Sequence, residues 1–223
     1  MWLVVGLGNP GREYAGNRHN IGFEVVAELA VRAKAPPMRE KFGAELAETT
    51  LRGQRVLLCK PMEFMNVSGQ PVARVAKFWK IPPAETIVVH DDLDLPFGQL
   101  RLGAGGGHGG NNGVRSLLAD LGTPEFVRVR FGIGRPAPGG DPASYVLADF
   151  SRAEQKDLPD LRMQAADAVE EILASGLTAA MNRFNKKKDK DAQKSEKSRK
   201  SEDSEKTEKS EKKTKPARSG DAP

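Results

Sequence analysis

Three histidines are available for acid–base chemistry in this chain. His19 lies in a polar stretch before a predicted helix, where an imidazole is not expected as core filler and where helix capping is the alternative to catalysis. His90 follows four apolar residues, a setting that suits a buried structural histidine at least as well as a catalytic one. His108 stands among glycines and would suit a hydrogen bond within its own loop. The residue types alone leave all three open.

Carboxylates cluster directly after His90, at Asp91, Asp92 and Asp94. Like charges this close need a partner cation, a metal ion or exposure to water. Oxygen and imidazole ligands suit several divalent ions, so a metal site with His19 is one interpretation, although the sequence contains no HExxH or similar ligand spacing. The weaker requirement is one aspartate directed at one histidine, which raises the basicity of the imidazole and fixes its tautomer.

The other nucleophiles in the sequence lack the surroundings that activate them. There is no GxSxG element, and Ser68, Ser116 and Ser144 lack the context of a nucleophile elbow. Cys59, the single cysteine, lies in an apolar run where only Lys60 could favour a thiolate. Water is therefore the nucleophile that the sequence favours.

Gly6, Gly8 and Gly11 satisfy the pattern GxGxxG directly after a predicted strand, which would suggest a dinucleotide site. In that fold the helix begins within the glycine turn, so that its first amides face the pyrophosphate. Here Pro10 and the polar residues 12–18 delay the helix. The cofactor interpretation is disfavoured, and we predict neither a cofactor nor a metal.

Asparagines recur in or beside the turn-rich segments, at Asn9, Asn20, Asn66, Asn111 and Asn112. Asparagine tolerates turn geometry, so each has a plain conformational explanation. A carboxamide also offers two donors and an acceptor, and can therefore recognise a peptide group. Their number near the same glycine-rich loops suggests the second use.

Strands and helices alternate along the chain and must position these groups. The patterns predict strands at 2–6, 43–51, 55–60, 86–89, 98–102, 126–131 and 144–148, and helices at 20–34, 69–80, 112–121, 153–175 and 177–185. This alternation predicts one α/β domain of three layers, with a mixed twisted sheet flanked by helices. Open α/β sheets place their chemistry at the carboxyl ends of strands, which is where His90 and the aspartates stand.

The charge of the chain is concentrated at its C-terminal end. Residues 186–223 contain no Leu, Ile, Val, Phe, Met, Trp or Tyr, so we predict a disordered tail after a domain of residues 1–185. The tail holds 12 Lys and 2 Arg against 9 acidic residues, a net charge of +5 that equals the charge of the whole chain. The domain is therefore neutral, and any surface on it that binds nucleic acid must be a local patch.

The compartment is predicted from what the sequence lacks. The start has no basic region followed by a signal-length apolar stretch, and no later segment approaches the length of a membrane span. With Cys59 alone, no disulfide can form within the chain. A cytoplasmic location without membrane attachment is expected.

A series of motifs follows in order along residues 1–185. They are VGLGNPGREY (5–14), NRHNIG (17–22), KP (60–61), FMNVSG (64–69), HDDLDLP (90–96), GGHGGNNG (106–113) and RFGIGRP (130–136). In order and spacing they resemble bacterial peptidyl-tRNA hydrolases. This resemblance is far more specific than any single motif.

The resemblance implies a monomeric esterase, independent of metal and of any obligate protein partner, that cuts the ester bond between a peptide and its transfer RNA. It matches His19 to the general base that takes a proton from water, and Asp91 to the partner that orients the imidazole. Consecutive strand residues face opposite sides, so only one of Asp91 and Asp92 should reach His19. The position within the motif selects Asp91.

The same resemblance assigns the substrate-binding groups. Asn9, Asn66 and Asn112 match the family's substrate-binding amides, and Tyr14 and Phe64 match groups that line the site. A fixed amide donor can stabilise the oxyanion that forms when water attacks the ester. Such amides would also favour an N-blocked aminoacyl group over one with a free, charged amine.

The transfer RNA requires phosphate contacts from basic residues near the last two motifs. The candidates are Arg101, Arg115, Arg128, Arg130 and Arg135, of which we single out Arg101 and Arg130, and Arg130 matches a basic position of the family. Solvated salt bridges are the alternative for each of them. Two departures from the family affect this region: Gly103 stands where relatives commonly carry Lys or Arg, and Asn111 stands where they often carry another residue.

Two other functions stay open at this point. A non-catalytic RNA-binding protein of the same fold is one, and the presence of both His19 and Asp91 argues for the enzyme instead. A nucleotide-cofactor enzyme is the other, and a dinucleotide retained through purification would favour it.

Overall fold

The computed structural model describes residues 1–185, and the predicted disordered segment 186–223 lies outside the described residues. Strands and helices alternate in the described part, as predicted. The strands are β1 (Trp2–Gly6), β2 (Arg39–Lys41), β3 (Ala44–Leu51), β4 (Gln54–Pro61), β5 (Thr86–Asp92), β6 (Leu100–Ala104) and β7 (Val127–Gly132). The helices are α1 (Ile21–Arg32), α2 (Gly69–Trp79), α3 (Asn112–Leu121), α4 (Pro142–Val146) and α5 (Glu154–Phe184).

The strands form one mixed sheet in the order β2-β3-β4-β1-β5-β7-β6. The four central strands β4, β1, β5 and β7 run parallel, and β2, β3 and β6 pair antiparallel at the two sides. Because parallel strands end at the same edge, the loops after β4, β1, β5 and β7 meet there. The segments after β1 and β4 and the end of β5 carry most of the predicted site residues, namely His19, Asp91, Asn9, Tyr14, Phe64 and Asn66.

Helices cover both faces of the sheet, which confirms the predicted α/β class. Strand alternation sends Val4 to one face, where it joins the core under α1 and α5. Leu3 and Val5 point to the other face, where they join the core under α2 and α3. The apolar runs of the central strands are thus explained by burial on both sides.

Helix α1 lies unusually close to β1 because glycines face each other. A Cβ on Gly6 would lie 2.1 Å from the carbonyl oxygen of Gly22, and a Cβ on Gly22 would lie 2.4 Å from the nitrogen of Leu7. Such distances leave no room for a side chain on either residue. The first glycine of the GxGxxG pattern therefore serves helix–strand packing, and the turn before α1 is held against β1.

The predicted strand at 144–148 is wrong, because residues 142–146 form the short helix α4. Asp141 caps this helix by accepting hydrogen bonds from the backbone amides of Ala143 and Ser144, and Pro142 occupies its first position. Both are helix-start signals that outweigh the apolar run after them. The side chain of Tyr145 then ties α4 to the sheet by donating to the carbonyl of Ile133 at 2.8 Å.

Strand β2 differs from the prediction, and the break inside α5 agrees with it. Strand β2 was not predicted, because its residues are charged and exposed and it pairs only with β3. The predicted break between two C-terminal helices is present, since Gly176 has non-helical dihedral angles of φ 83° and ψ 167° inside α5. None of the helices within residues 1–185 is both long and apolar enough to cross a membrane.

Candidate active site

His19 and Asp91 meet at the carboxyl edge of the sheet. His19 lies in a single 3₁₀ turn, Arg18–Asn20, which leads into α1, and Asp91 is the penultimate residue of β5. Their Nδ1 and Oδ1 atoms are 2.8 Å apart, and both residues are buried. The pair lies 72 positions apart in sequence, so only the fold brings it together.

Asp92 turns away from His19, as strand alternation requires. Its Oδ2 accepts a hydrogen bond from Nε of Arg130 at 2.6 Å, and its Oδ1 accepts the backbone amide of Asp94 at 2.8 Å. The neighbouring carboxylates therefore have separate partners. The crowding of negative charge is relieved by an arginine on one side and by amide and imidazole donors on the other.

Asn111 contacts the same carboxylate as His19. Its side-chain nitrogen donates to Oδ1 of Asp91 at 2.8 Å, and its side-chain oxygen accepts the backbone amides of Gly113 and Val114 at the start of α3. The sequence grouped Asn111 with the asparagines that could recognise a peptide group, and its contact with Asp91 was not predicted. Its place just before a predicted helix was the available signal, because asparagine is a preferred N-cap residue.

Asn9 is fixed by a network that also includes Asn20. The side-chain oxygen of Asn20 accepts a hydrogen bond from the backbone amide of Asn9 at 2.8 Å, and its side-chain nitrogen donates to the backbone carbonyl of Asn9 at 2.9 Å. The side-chain oxygen of Asn9 accepts the amide of Met65 at 2.8 Å, which ties the loop after β1 to the turn after β4. Asn20 was grouped in the sequence with the same asparagines, and its contact with the backbone of Asn9 was not predicted.

The other predicted binding residues surround this network at the surface. Phe64 is 56% exposed, and its ring meets that of Tyr14 edge to face with centroids 6.5 Å apart. Asn66 is exposed in the turn Met65–Val67, next to the amide that holds Asn9. Asn112 is exposed at the start of α3.

A cleft of about 220 Å³, which we call the His19 cleft, opens beside the pair. Asn112 lines it, so the structure brings this amide and His19 to one cavity, whereas Asn9 lines a different cleft. One wall comes from α4, which supplies Pro142, Ala143 and Val146. The α4 residues could not be predicted, because the strand expected at 144–148 concealed the helix.

Comparison with known proteins gives a consistent result. The family model described as Peptidyl-tRNA hydrolase matches residues 3–193. The peptidyl-tRNA hydrolase of Frankia alni is 53% identical over 184 residues, covering 82% of this chain and 93% of that protein. That of Nocardia farcinica is 52% identical over 184 residues, covering 82% of this chain and 95% of that protein. The chain belongs to the peptidyl-tRNA hydrolase family.

A solved structure of the family supports the same conclusion about the fold. The crystal structure of peptidyl-tRNA hydrolase from Acinetobacter baumannii superposes with a TM-score of 0.78 at 38% identity, and the match covers 83% of this chain and 94% of that one. The sheet and helices described above are therefore the fold of this family.

A second cavity of about 260 Å³, the basic cleft, lies on the side of the sheet to which Asp92 points. Arg130 on β7 is in register with His90 on β5 and with Arg101 on β6, so these three side chains stand in a row. Arg128 lies two residues before Arg130 on the same face of β7 and donates to the carbonyls of Gly106 and Gly107 in the glycine-rich loop. Both predicted tRNA-contact arginines thus line one cavity.

Two buried polar atoms in the basic cleft lack partners among the described residues. His90 donates from Nδ1 to the carbonyl of Asp91 at 2.8 Å, which leaves its buried Nε2 unpaired. Burial lowers the pKa of His90. The Nε of Arg128 is also unpaired, and burial, together with the nearby charge of Arg130, lowers the pKa of this guanidinium. Unpaired buried polar atoms cost free energy, so each of these two nitrogens would be stabilised by a hydrogen-bond partner.

Two further sequence candidates, Arg135 and Cys59, lie outside both clefts. Arg135 pairs with Asp94 at 3.0 Å at the surface. Burial raises the pKa of the Cys59 thiol, which keeps it protonated and unreactive as a nucleophile. Within residues 1–185, no group of three or more His, Cys, Asp or Glu side chains is arranged to hold a metal ion.

Proposed function

We propose that this chain hydrolyses the ester bond between a peptide and the transfer RNA that carries it, with His19 as the general base. The observation that carries the proposal is the 2.8 Å contact between His19 and Asp91 beside an open cleft, in a chain of this family. In the neutral imidazole with a proton on Nδ1, Nε2 holds a lone pair that can accept a proton from water. General base catalysis of this kind contributes about 10²- to 10⁴-fold.

The proposed reaction is balanced by one proton that moves out and back. Water gives a proton to Nε2 of His19 as its oxygen attacks the ester carbonyl carbon. The tetrahedral intermediate then expels the ribose oxygen, which takes the proton from the imidazolium. Asp91 remains ionised and stabilises the transient positive charge on His19.

Asn9 is the proposed donor to the substrate carbonyl. Because its side-chain oxygen is occupied by the amide of Met65, its nitrogen is the atom left to donate. Asn66 and Asn112 are proposed to recognise the peptide backbone, with Tyr14 and Phe64 packing beside it. An aminoacyl group with a free charged amine would lose these hydrogen bonds, so N-blocked substrates are preferred.

Arg101 and Arg130 are the proposed phosphate contacts for the transfer RNA. Residues 1–185 are neutral overall, so a local basic cavity is the expected place for RNA on this domain. Residues 186–223 are proposed to add non-specific attraction for RNA without taking part in the reaction. We also propose that the enzyme acts as a monomer in the cytoplasm, without a metal, a cofactor or an obligate protein partner.

The decisive experiment compares N-acetylated and unblocked aminoacyl-tRNA as substrates in the presence of a chelator. We expect the purified protein to release the acylated amino acid and to act much more slowly on the unblocked substrate. A well-folded sample with no hydrolysis, or one that strictly required added metal, would contradict the proposed mechanism. Equal rates on both substrates would contradict the proposed use of the asparagines.

A further inference from the structure

We infer that Asn111 is a positioning residue that holds the Asp91 carboxylate and, through it, fixes the tautomer of His19. The inference rests on the proposed function of the His19–Asp91 pair and deepens it. Asn111 acts on His19 through Asp91, since it does not contact the imidazole.

The backbone of α3 dictates which way the Asn111 amide faces. The amides of Gly113 and Val114 both donate to its side-chain oxygen, at 3.0 and 3.1 Å. An NH₂ group cannot accept hydrogen bonds, so exchanging the oxygen and nitrogen would leave two backbone donors facing another donor. The nitrogen must therefore point to Asp91, where it lies 2.8 Å from Oδ1.

This orientation passes to His19 through a shared oxygen. Oδ1 of Asp91 receives the amide of Asn111 and lies 2.8 Å from Nδ1 of His19. An ionised carboxylate only accepts, so the ring must carry its proton on Nδ1. The lone pair is thereby placed on Nε2, the atom that faces water in the proposed reaction. The first turn of α3 thus holds the carboxylate oxygen that sets the tautomer of His19.

Burial gives the Asn111 contact its importance. Asp91 is 3% exposed and Asn111 is 9% exposed, so water cannot readily replace the amide donor. The Asn111 amide also lies 3.3 Å from the backbone carbonyl of Asp91, which restrains the carboxylate relative to its own strand. A neutral donor has a further advantage over lysine or arginine, because it leaves the negative charge of Asp91 available to the imidazolium.

A cap-preserving substitution separates this role from helix capping. Asn111→Ser keeps an oxygen that can cap α3, but its shorter side chain withdraws the donor from Asp91. We expect kcat to fall about 10- to 100-fold with KM nearly unchanged, because the base is misoriented after substrate has bound. Nitrogen NMR of the His19 ring should show a single Nδ1-protonated tautomer in the natural protein and a mixture in the variant.

Ser116→Ala is the matched control on the same helix. Ser116 accepts the buried amide of Gly69 at 2.9 Å and does not contact Asp91, so its loss should lower the melting temperature and leave kcat unchanged. Asn111→Asp provides a second variant that can cap α3. Its added negative charge favours the protonated imidazole, and we expect the acid limb of the pH–rate profile to move to higher pH.

The inference is overturned if Asn111→Ser keeps kcat and a single His19 tautomer. It is also overturned if a smaller folded fraction at the assay temperature accounts for the whole loss of kcat, as it would for a purely structural residue. If Asn111→Ser does not fold, an unchanged pH–rate profile in Asn111→Asp overturns it. The nitrogen NMR spectrum of the His19 ring can be recorded without turnover. If the natural protein shows no hydrolysis, the proposed function is contradicted, but the spectrum still tests the role of Asn111.

Discussion

Asp91 and Asp92 are adjacent in sequence and serve different surroundings. Asp91 faces His19 and Asn111, and Asp92 faces Arg130, because neighbouring strand residues point to opposite sides of the sheet. The two cavities adjoin at the end of β5, where Asp92 lines both. Asp91 is the carboxylate proposed to serve the reaction, and Asp92 pairs with an arginine of the basic cleft.

The residue-scale prediction concerns His19. In His19→Ala the base that activates water is lost, so we expect kcat to fall by about 10² to 10⁴. Affinity for transfer RNA should persist, since the arginines of the basic cleft are unchanged. Single-turnover hydrolysis measures the rate, and a titration measures the affinity for transfer RNA. Both use a sample whose circular dichroism spectrum matches that of the natural protein. Near-normal rates in this variant would show that the base has been assigned wrongly.

The sequence predicted the pair His19 and Asp91 but not the residues that hold this pair in place. His19 and Asp91 could be paired through ordered motifs, and alternation explained why only one aspartate would reach the ring. Asn20 and Asn111 were noticed as asparagines in turns, but their contacts depend on loops that meet only after folding. The orientation of an amide follows from its partners, and those partners lie in other elements.

The elements were predicted where burial dictated the pattern. The central strands are apolar because both faces are covered, and α1, α2 and α3 show one buried stripe each. Prediction failed for α4 and β2. Helix α4 is too short for a periodic pattern and is specified by its Asp-Pro start, while β2 has no apolar alternation to reveal it.

The element-scale prediction tests the close approach of α1 to β1. In Gly22→Ala the added Cβ would meet the backbone of Leu7 at 2.4 Å, so we expect a loss of at least about 1–3 kcal/mol in the free energy of unfolding. Because His19 lies in the turn before α1, activity should fall as well. Urea unfolding followed by circular dichroism measures the first effect.

Gly103→Ala is the matched control for stability. Nothing lies within 4 Å of a Cβ at Gly103, so its free energy of unfolding should stay within about 0.5 kcal/mol of the natural value. Equal stabilities for the two variants would mean that the contact between α1 and β1 does not require glycine.

At the scale of the whole molecule, one sheet edge gathers residues from distant segments. Asn9 follows β1, His19 precedes α1, Asp91 lies in β5 and Asn111 precedes α3. The parallel direction of the central strands brings these four residues together. The basic cleft lies on the other side of β5. In the proposed function, a neutral domain holds a polyanion at the basic cleft, beside the adjoining cleft that contains His19 and Asp91.

The last prediction concerns residues 186–223, whose net charge of +5 is carried outside the neutral domain. A chain ending at residue 185 should keep its kcat, because every proposed reacting and binding group lies within residues 1–185. KM for the transfer RNA substrate should rise at low salt, and the difference from the full chain should vanish at high salt, where screening removes weak electrostatic attraction. Steady-state hydrolysis at several salt concentrations measures both constants. A truncated chain that failed to fold would refute the domain boundary, and a KM difference that persisted at high salt would indicate a specific contact from the tail in place of general attraction.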